Sequence, residues 1–279
     1  MNIIEELIKL IFFYSNFWSV IYKKLFTERK NGLVILHKSD NFIVVSKEHD
    51  VLINSNDPTV SGSLHRRLSH EFPGLINPKL QHDFYFVHRL DYVTSGVICI
   101  ALNKKACKAA TTAFERRAVQ KYYLALVRGH VSQEILSVDI PIGEVASEQF
   151  GSHRMTTVNE TCLNPRSAQT RILVLERGLY DSYPASKILM QPITGRRHQL
   201  RVHCAYLGHT IIGDFTYSRQ RDISPIRTYL HALKLVLPNN VECLDIETPD
   251  PFSKCNKWIS IESINSLGAE AFMKLSGIS

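Results

Sequence analysis

The 279-residue chain reads as an α+β protein, with a mixed, mainly antiparallel central sheet and flanking helices. Three observations predict this. Short runs of β-branched and aromatic residues, bounded by turn residues, recur along most of the length. Only a few segments carry the three-and-four spacing of an amphipathic helix. The two kinds do not alternate regularly, as a parallel sheet built from βαβ units would require.

Residues 1–26 come first. Ile3, Ile4, Leu7, Leu10, Ile11, Tyr14, Phe17, Trp18, Ile21, Tyr22 and Leu25 recur at helical spacing. This predicts an N-terminal amphipathic helix within an extension covering 1–32. Its uncharged run, Leu10 to Tyr22, is short for a bilayer and contains Ser and Asn. Glu5 and Glu6 argue against a signal or transit peptide. Three readings stay open for it: a helix packed on the domain, a docking helix for a protein partner, and a helix lying on a membrane surface.

The main domain is expected over 33–260. Leu33–Leu36 and Phe42–Val45 read as strands around the turn Ser39-Asp40-Asn41, and Val51-Leu52-Ile53 as a third. Leu64, Leu68 and Phe72 fit a helix with His65, Arg66 and Arg67 outside. Phe84–Val87 and Val97–Leu102 read as strands joined by a polar loop. Lys104–Arg117 reads as a helix capped by Asn103, and Lys121–Val127 as the next strand. Residues 143–168 are polar and irregular, a long loop or hairpin. Thr170–Leu175, Ser186–Met190 and Tyr229–Leu237 are further strands. Arg197–Leu207 is predicted helical, with Gly208 at C′. Residues 261–279 form a C-terminal tail or helix.

The totals narrow the function. Net charge is +7, from 33 Lys and Arg against 26 Asp and Glu, which favours nucleic acid or an anionic membrane as partner. Six cysteines without a Cys-x-x-Cys pair predict reduced thiols inside the cell, cytoplasmic or nuclear, and no structural zinc. His198 and His203 lie five apart with no Glu between, so a helical zinc site is not expected. There is no Gly-x-Gly-x-x-Gly and no P-loop.

Two stretches carry chemistry. His88-Arg89-Leu90-Asp91-Tyr92-Val93-Thr94-Ser95-Gly96 places a carboxylate on a loop held between strands. Alone, Asp91 also reads as a turn cap. Thr194-Gly195-Arg196-Arg197-His198-Gln199-Leu200-Arg201-Val202-His203 places Arg201 on or beside the buried face of a helix, where its charge needs a partner. The Gly195-Arg196 opening offers backbone N–H groups to phosphate.

Taken in order, His88-Arg89-Leu90-Asp91 with Thr94-Ser95-Gly96, Lys121-x-Tyr123 with Gly129, and the Thr194–His203 run resemble the successive motifs of the RluA-type pseudouridine synthases. Leu207-Gly208-His209 with Gly213-Asp214, and Leu230-His231-Ala232, extend the resemblance over roughly residues 33–250. Leu52-Ile53-Asn54-Ser55, Ala101–Lys104, Tyr123–His130 and Thr248–Phe252 are most similar to the animal RNA pseudouridylate synthase domain-containing subgroup. The resemblance implies an isomerase that converts uridine to pseudouridine in structured RNA, ribosomal or transfer first and messenger also open, as a monomer and with no cofactor or metal. It implies Asp91 as nucleophile, Tyr123 as the tyrosine that stacks on the target base, and Arg201 as the arginine that pairs with Asp91. Arg89 matches the position that enters the RNA stack in some members. His88, Lys121, Arg196, His198 and Gln199 are the further candidate RNA contacts. Two other functions keep a place. One is a catalytically weak RNA-binding or RNA-folding protein. The other is a nucleoside or glycoside hydrolase using Asp91 and Asp214, which requires those carboxylates to be neighbours.

Overall fold

The computed structural model describes residues 28–30, 32–146, 154–157 and 162–277. The predicted N-terminal helix lies outside them. In chain order the elements are β1 (Glu28–Lys30), β2 (Leu33–Lys38), β3 (Phe42–Lys47), α1 (Leu64–Glu71), β4 (Tyr85–Phe86), β5 (Ser95–Ala101), α2 (Lys104–Glu115) and β6 (Gln120–Arg128). Then come β7 (Ile135–Asp139), β8 (Ile142–Val145), β9 (Met155–Thr157), β10 (Cys162–Arg166), β11 (Gln169–Tyr180), β12 (Tyr183–Pro192) and α3 (Gln199–Tyr206). The chain closes with β13 (Leu230–Leu237), β14 (Leu244–Glu247), β15 (Trp258–Ser263) and α4 (Ala269–Ser276).

One sheet organises the molecule, in the order β1-β2-β3-β5-β13-β6-β12-β11-β15, with β4, β7 and β14 pairing off that path. All its pairings are antiparallel except β5 with β13. The expected mixed, mainly antiparallel sheet is therefore the observed one, with four α-helices among the described residues laid on it.

The strand period decides which helix sits where. Along β3 and β5, Ile43, Val45, Ile98 and Ile100 face the cluster that includes Leu64 and Leu68 of α1. Phe42, Val44, Val97 and Cys99 face the opposite cluster, with Ala106, Ala110 and Ala113 of α2. The same alternation in β6 sends Tyr122, Leu124 and Leu126 towards α4. Its Ala125 and Val127 face Leu200 and Cys204 of α3. Each fully buried Leu or Ile in these layers contributes about 1.5–3 kcal/mol. Strand β13 joins all four clusters through Leu230, Ala232, Leu233 and Leu235.

The parallel β5–β13 junction explains one glycine. Gly96 has φ +110, and a Cβ there would lie 2.1 Å from the Ala232 carbonyl oxygen. Only glycine lets the chain leave the Asp91 loop and enter the sheet at this distance.

Four expectations need correction. Val51–Ile53 is not a strand; the Leu52 and Ile53 carbonyls accept N–H groups from Leu64 and His65 at the start of α1. His65 is buried rather than outward, because its ring meets Ser63 and His82. The 143–168 region holds more than the expected loop or hairpin: β9 pairs antiparallel with β8, and β10 completes a second, three-stranded sheet. Helix α3 begins at Gln199, not Arg197, because His198 sits in the left-handed region with φ +54. The Asn103 cap of α2 is as expected, its side chain accepting the Ala106 N–H.

Candidate active site

The Asp91 loop runs from β4 to β5 and is pinned at several points. At its start, His88 Nε2 accepts the Cys99 N–H at 2.8 Å, and its ring stacks on Phe114 of α2. Burial, with Lys121 nearby, pulls the His88 pKa down to about 3, so the ring is neutral. Within the loop, Leu90 enters the α1 cluster and the Thr94 N–H closes a turn on the Asp91 carbonyl. Behind it, the buried Lys47 ammonium donates to the carbonyls of Tyr92, Glu48 and Val51 at 3.0, 2.9 and 2.8 Å. Burial draws the Lys47 pKa down to about 8 against the charges of Asp50 and Asp91. Three accepting carbonyls use all three ammonium protons. The following turn is Lys47-Glu48-His49-Asp50. Asp50 takes a left-handed conformation there, φ +56, which Asp tolerates.

Arg201 comes from α3. Its Nε and Nη2 donate to the two carboxylate oxygens of Asp214 at 2.7 and 2.9 Å. Its Nη1 lies 3.6 Å from Asp91 Oδ2. Asp91 is thus the outer and Asp214 the inner partner of one buried guanidinium. Burial opposes the charge on Arg201, but the hydrogen bonds to Asp214 and the charges of Asp214 and Asp91 hold its pKa above the ordinary arginine value. The guanidinium also lies over the Tyr217 ring at 5.0 Å.

Tyr217 ties this pair to the loop before α3. Its hydroxyl meets His198 Nδ1 at 2.9 Å and accepts the Met155 N–H. Burial pushes the Tyr217 phenol up to about 12 and, with Arg201 and Arg197 close by, draws His198 down to about 4. A left-handed non-glycine residue carries strain, and this hydrogen bond holds His198 there.

Tyr123 projects from β6, where it pairs with Ala232 of β13 and Met190 of β12. It packs against both the α1 and the α3 clusters. Burial, and then the charge of Asp91, raise its phenol well above the ordinary tyrosine value. Two residues earlier on the same strand, burial lowers Lys121 to about 8.

All nine sequence-predicted residues line one cavity of about 440 Å³: His88, Arg89, Asp91, Lys121, Tyr123, Arg196, His198, Gln199 and Arg201. Asp91 is the only carboxylate among the lining residues, against Arg89, Lys121, Arg196, Arg197 and Arg201. Residues 110 positions apart meet here because the Asp91 loop and the N-terminus of α3 close over the same stretch of β6.

Their environments differ. Arg89 is exposed. Arg196 Nε is engaged with the Ser167 carbonyl. The Arg196 N–H, expected to be open to phosphate, instead donates to Gln199 Oε1. Gln199 is buried and fully used, since Oε1 also accepts from Thr194 and Nε2 donates to Gln169 O and Thr170 Oγ1. His88 and Gln199 therefore shape the wall rather than reach outward. Nor is the two-carboxylate arrangement of a glycoside hydrolase present. Asp214 is fully buried with both oxygens held by Arg201. Lys47 and Tyr217 escaped the sequence reading of the site. Tyr217, three residues after Gly213-Asp214, was within reach of it; nothing local marks Lys47.

Known proteins are similar to this chain in sequence and in fold. Residues 33–206 match the RNA pseudouridylate synthase family model. RNA pseudouridylate synthase domain-containing protein 1 of Danio rerio is 44% identical over 238 residues, 85% of this chain and 81% of that protein. The dual-specificity RNA pseudouridine synthase RluA of Escherichia coli K12 is 35% identical over 210 residues, 74% of this chain and 86% of that protein. The solved structure of human RNA pseudouridylate synthase domain containing 1 superposes with a TM-score of 0.77 at 38% identity. It covers 90% of this chain and 98% of its own.

Proposed function

Because this chain belongs to the RNA pseudouridylate synthase family, isomerases that convert uridine to pseudouridine, we propose that Asp91 is its nucleophile, acting on a uridine flipped out of structured RNA. The proposed substrates are ribosomal or transfer RNA. One observation carries the reading: a single carboxylate, in contact with Arg201 and beside Tyr123, in a cavity whose other charged groups are cations.

The reaction breaks the N1–C1′ bond and forms a C5–C1′ bond to the same base. N1 gains a proton and C5 loses one. Nothing is oxidised and no group leaves. A carboxylate suits the covalent step, as in glycosyl transfer. Arg201 fixes Asp91 from behind, while Asp214 fixes Arg201. Extruding the base costs a few kcal/mol. Stacking on Tyr123 offsets about 1–3 kcal/mol of that. A neutral phenol beside Asp91 adds no opposing charge, and the cations of the rim receive the phosphates.

The test is tritium release from 5-tritiated uridine in ribosomal, transfer and messenger RNA pools, with wild type and Asp91→Asn in parallel. Release by the wild type that disappears in a folded mutant is the expected result, and the responsive pool identifies the substrate. Equal release by both would overturn the assignment of Asp91. No release from any pool would leave the chain an RNA-binding protein.

A further inference from the structure

A second basic surface lies one helix face away from the cavity. Lys105, Lys108 and Thr112 of α2 and Arg116 at its C-cap fall on a single stripe, about 16 Å long at 1.5 Å per residue. Together with the loop Pro238–Val241 after β13 they enclose a groove of about 600 Å³. Its floor is Ala109 and Ala113, small side chains that admit a backbone closely. The facing wall is rigid, because the Asn239 side chain bonds the carbonyls of Leu237 and Glu242 and accepts the N–H groups of Val241 and Glu242.

No carboxylate lines this groove. Lys105, Lys108 and Arg116 are exposed, as are Lys104 and Arg117 beside them. Among the described residues none of these five cations takes part in an ion pair. The groove also offers no aromatic or large apolar anchor of the kind a protein partner buries. The same helix joins it to the candidate active site: Ala113 lines the groove, and the next residue, Phe114, lines the cavity and carries the His88 ring.

We propose that this groove binds the sugar–phosphate backbone of the RNA strand flanking the target uridine. The inference rests on the reading of the cavity as the uridine site. A base turned into the cavity leaves its strand at the rim, and the α2 stripe is a cluster of unneutralised cations on the helix that also walls the cavity.

The experiment measures RNA affinity against salt concentration for three proteins: wild type, Lys105→Ala/Lys108→Ala/Arg116→Ala, and Lys105→Arg/Lys108→Arg. Pseudouridine formation is followed alongside. Each phosphate contact on a single strand contributes about 0.7 to the slope of log K against log salt. The alanine variant should therefore be shallower by about 2. Its KM should rise with kcat unchanged, while the arginine variant should match wild type. An unchanged slope and KM in an active alanine variant would overturn the groove and leave the Asp91 reading intact. An inactive wild type whose slope still falls in the alanine variant would sink the Asp91 reading and keep the groove. Equal displacement of RNA by an acidic peptide, without a slope change, would assign the surface to a protein and overturn the proposal.

Discussion

Arg201 is bound more tightly to Asp214 than to Asp91: two hydrogen bonds of 2.7 and 2.9 Å against one contact at 3.6 Å. The inner carboxylate anchors the guanidinium, and the outer one is left with oxygens facing the cavity. A buried arginine with a single carboxylate partner would be pulled onto it. Two carboxylates divide the task between holding and reacting.

Asp214→Asn should therefore disable the site without touching the cavity wall. Breaking a buried, hydrogen-bonded pair costs about 3–5 kcal/mol. A loss of unfolding free energy of that size, read from urea denaturation, is expected, with a loss of pseudouridine formation in the folded fraction. Unchanged midpoint and rate would mean that stacking on Tyr217 alone holds Arg201.

Lys47→Met should loosen the Asp91 loop from behind. It leaves three carbonyls without their donor, including that of Tyr92, next to Asp91. Each orphaned acceptor costs about 1–3 kcal/mol. The midpoint should drop and kcat should fall with it. A stable variant with wild-type kcat would show that the loop holds its shape through His88 and Gly96 alone.

Lys121 gives the site a pH dependence. Its pKa is lowered from 10.5 to about 8 by burial, so the charge available to phosphate is lost as pH rises through 8. RNA affinity should fall over that range, and Lys121→Arg should flatten the profile. Stability moves the other way. The unfolded chain holds this proton up to about 10.5 and the folded one releases it near 8, so this residue's contribution to stability increases between those values. An affinity profile identical in wild type and Lys121→Arg would remove Lys121 from the RNA contacts.

Gly96→Ala tests the junction that launches the loop. The new Cβ would meet the Ala232 carbonyl at 2.1 Å in a left-handed backbone. Destabilisation well above about 1 kcal/mol is expected, since a side chain at positive φ is strained even where space is free. Chemical denaturation measures it. A midpoint within error of wild type would mean that β5 and β13 separate readily.

The sequence by itself determined the fold class, the period of the strands and the residues that meet in the cavity. Those signals are local: alternation along β3, β5 and β6, the Asn103 cap, Gly208 after α3, and the dense runs around Asp91 and Arg201. The tertiary structure alone decided how the polar groups of the site divide their bonds. Lys47 reaches Tyr92 across 45 positions, and Arg201 chooses Asp214 over Asp91. Likewise Gln199 closes on Thr194 and Thr170 instead of facing outward, and His198 adopts φ +54 against Tyr217. Burial forces each such group to find a partner, but no periodicity links the two ends. Only the closing of loops and α3 over the sheet brings them within hydrogen-bond distance.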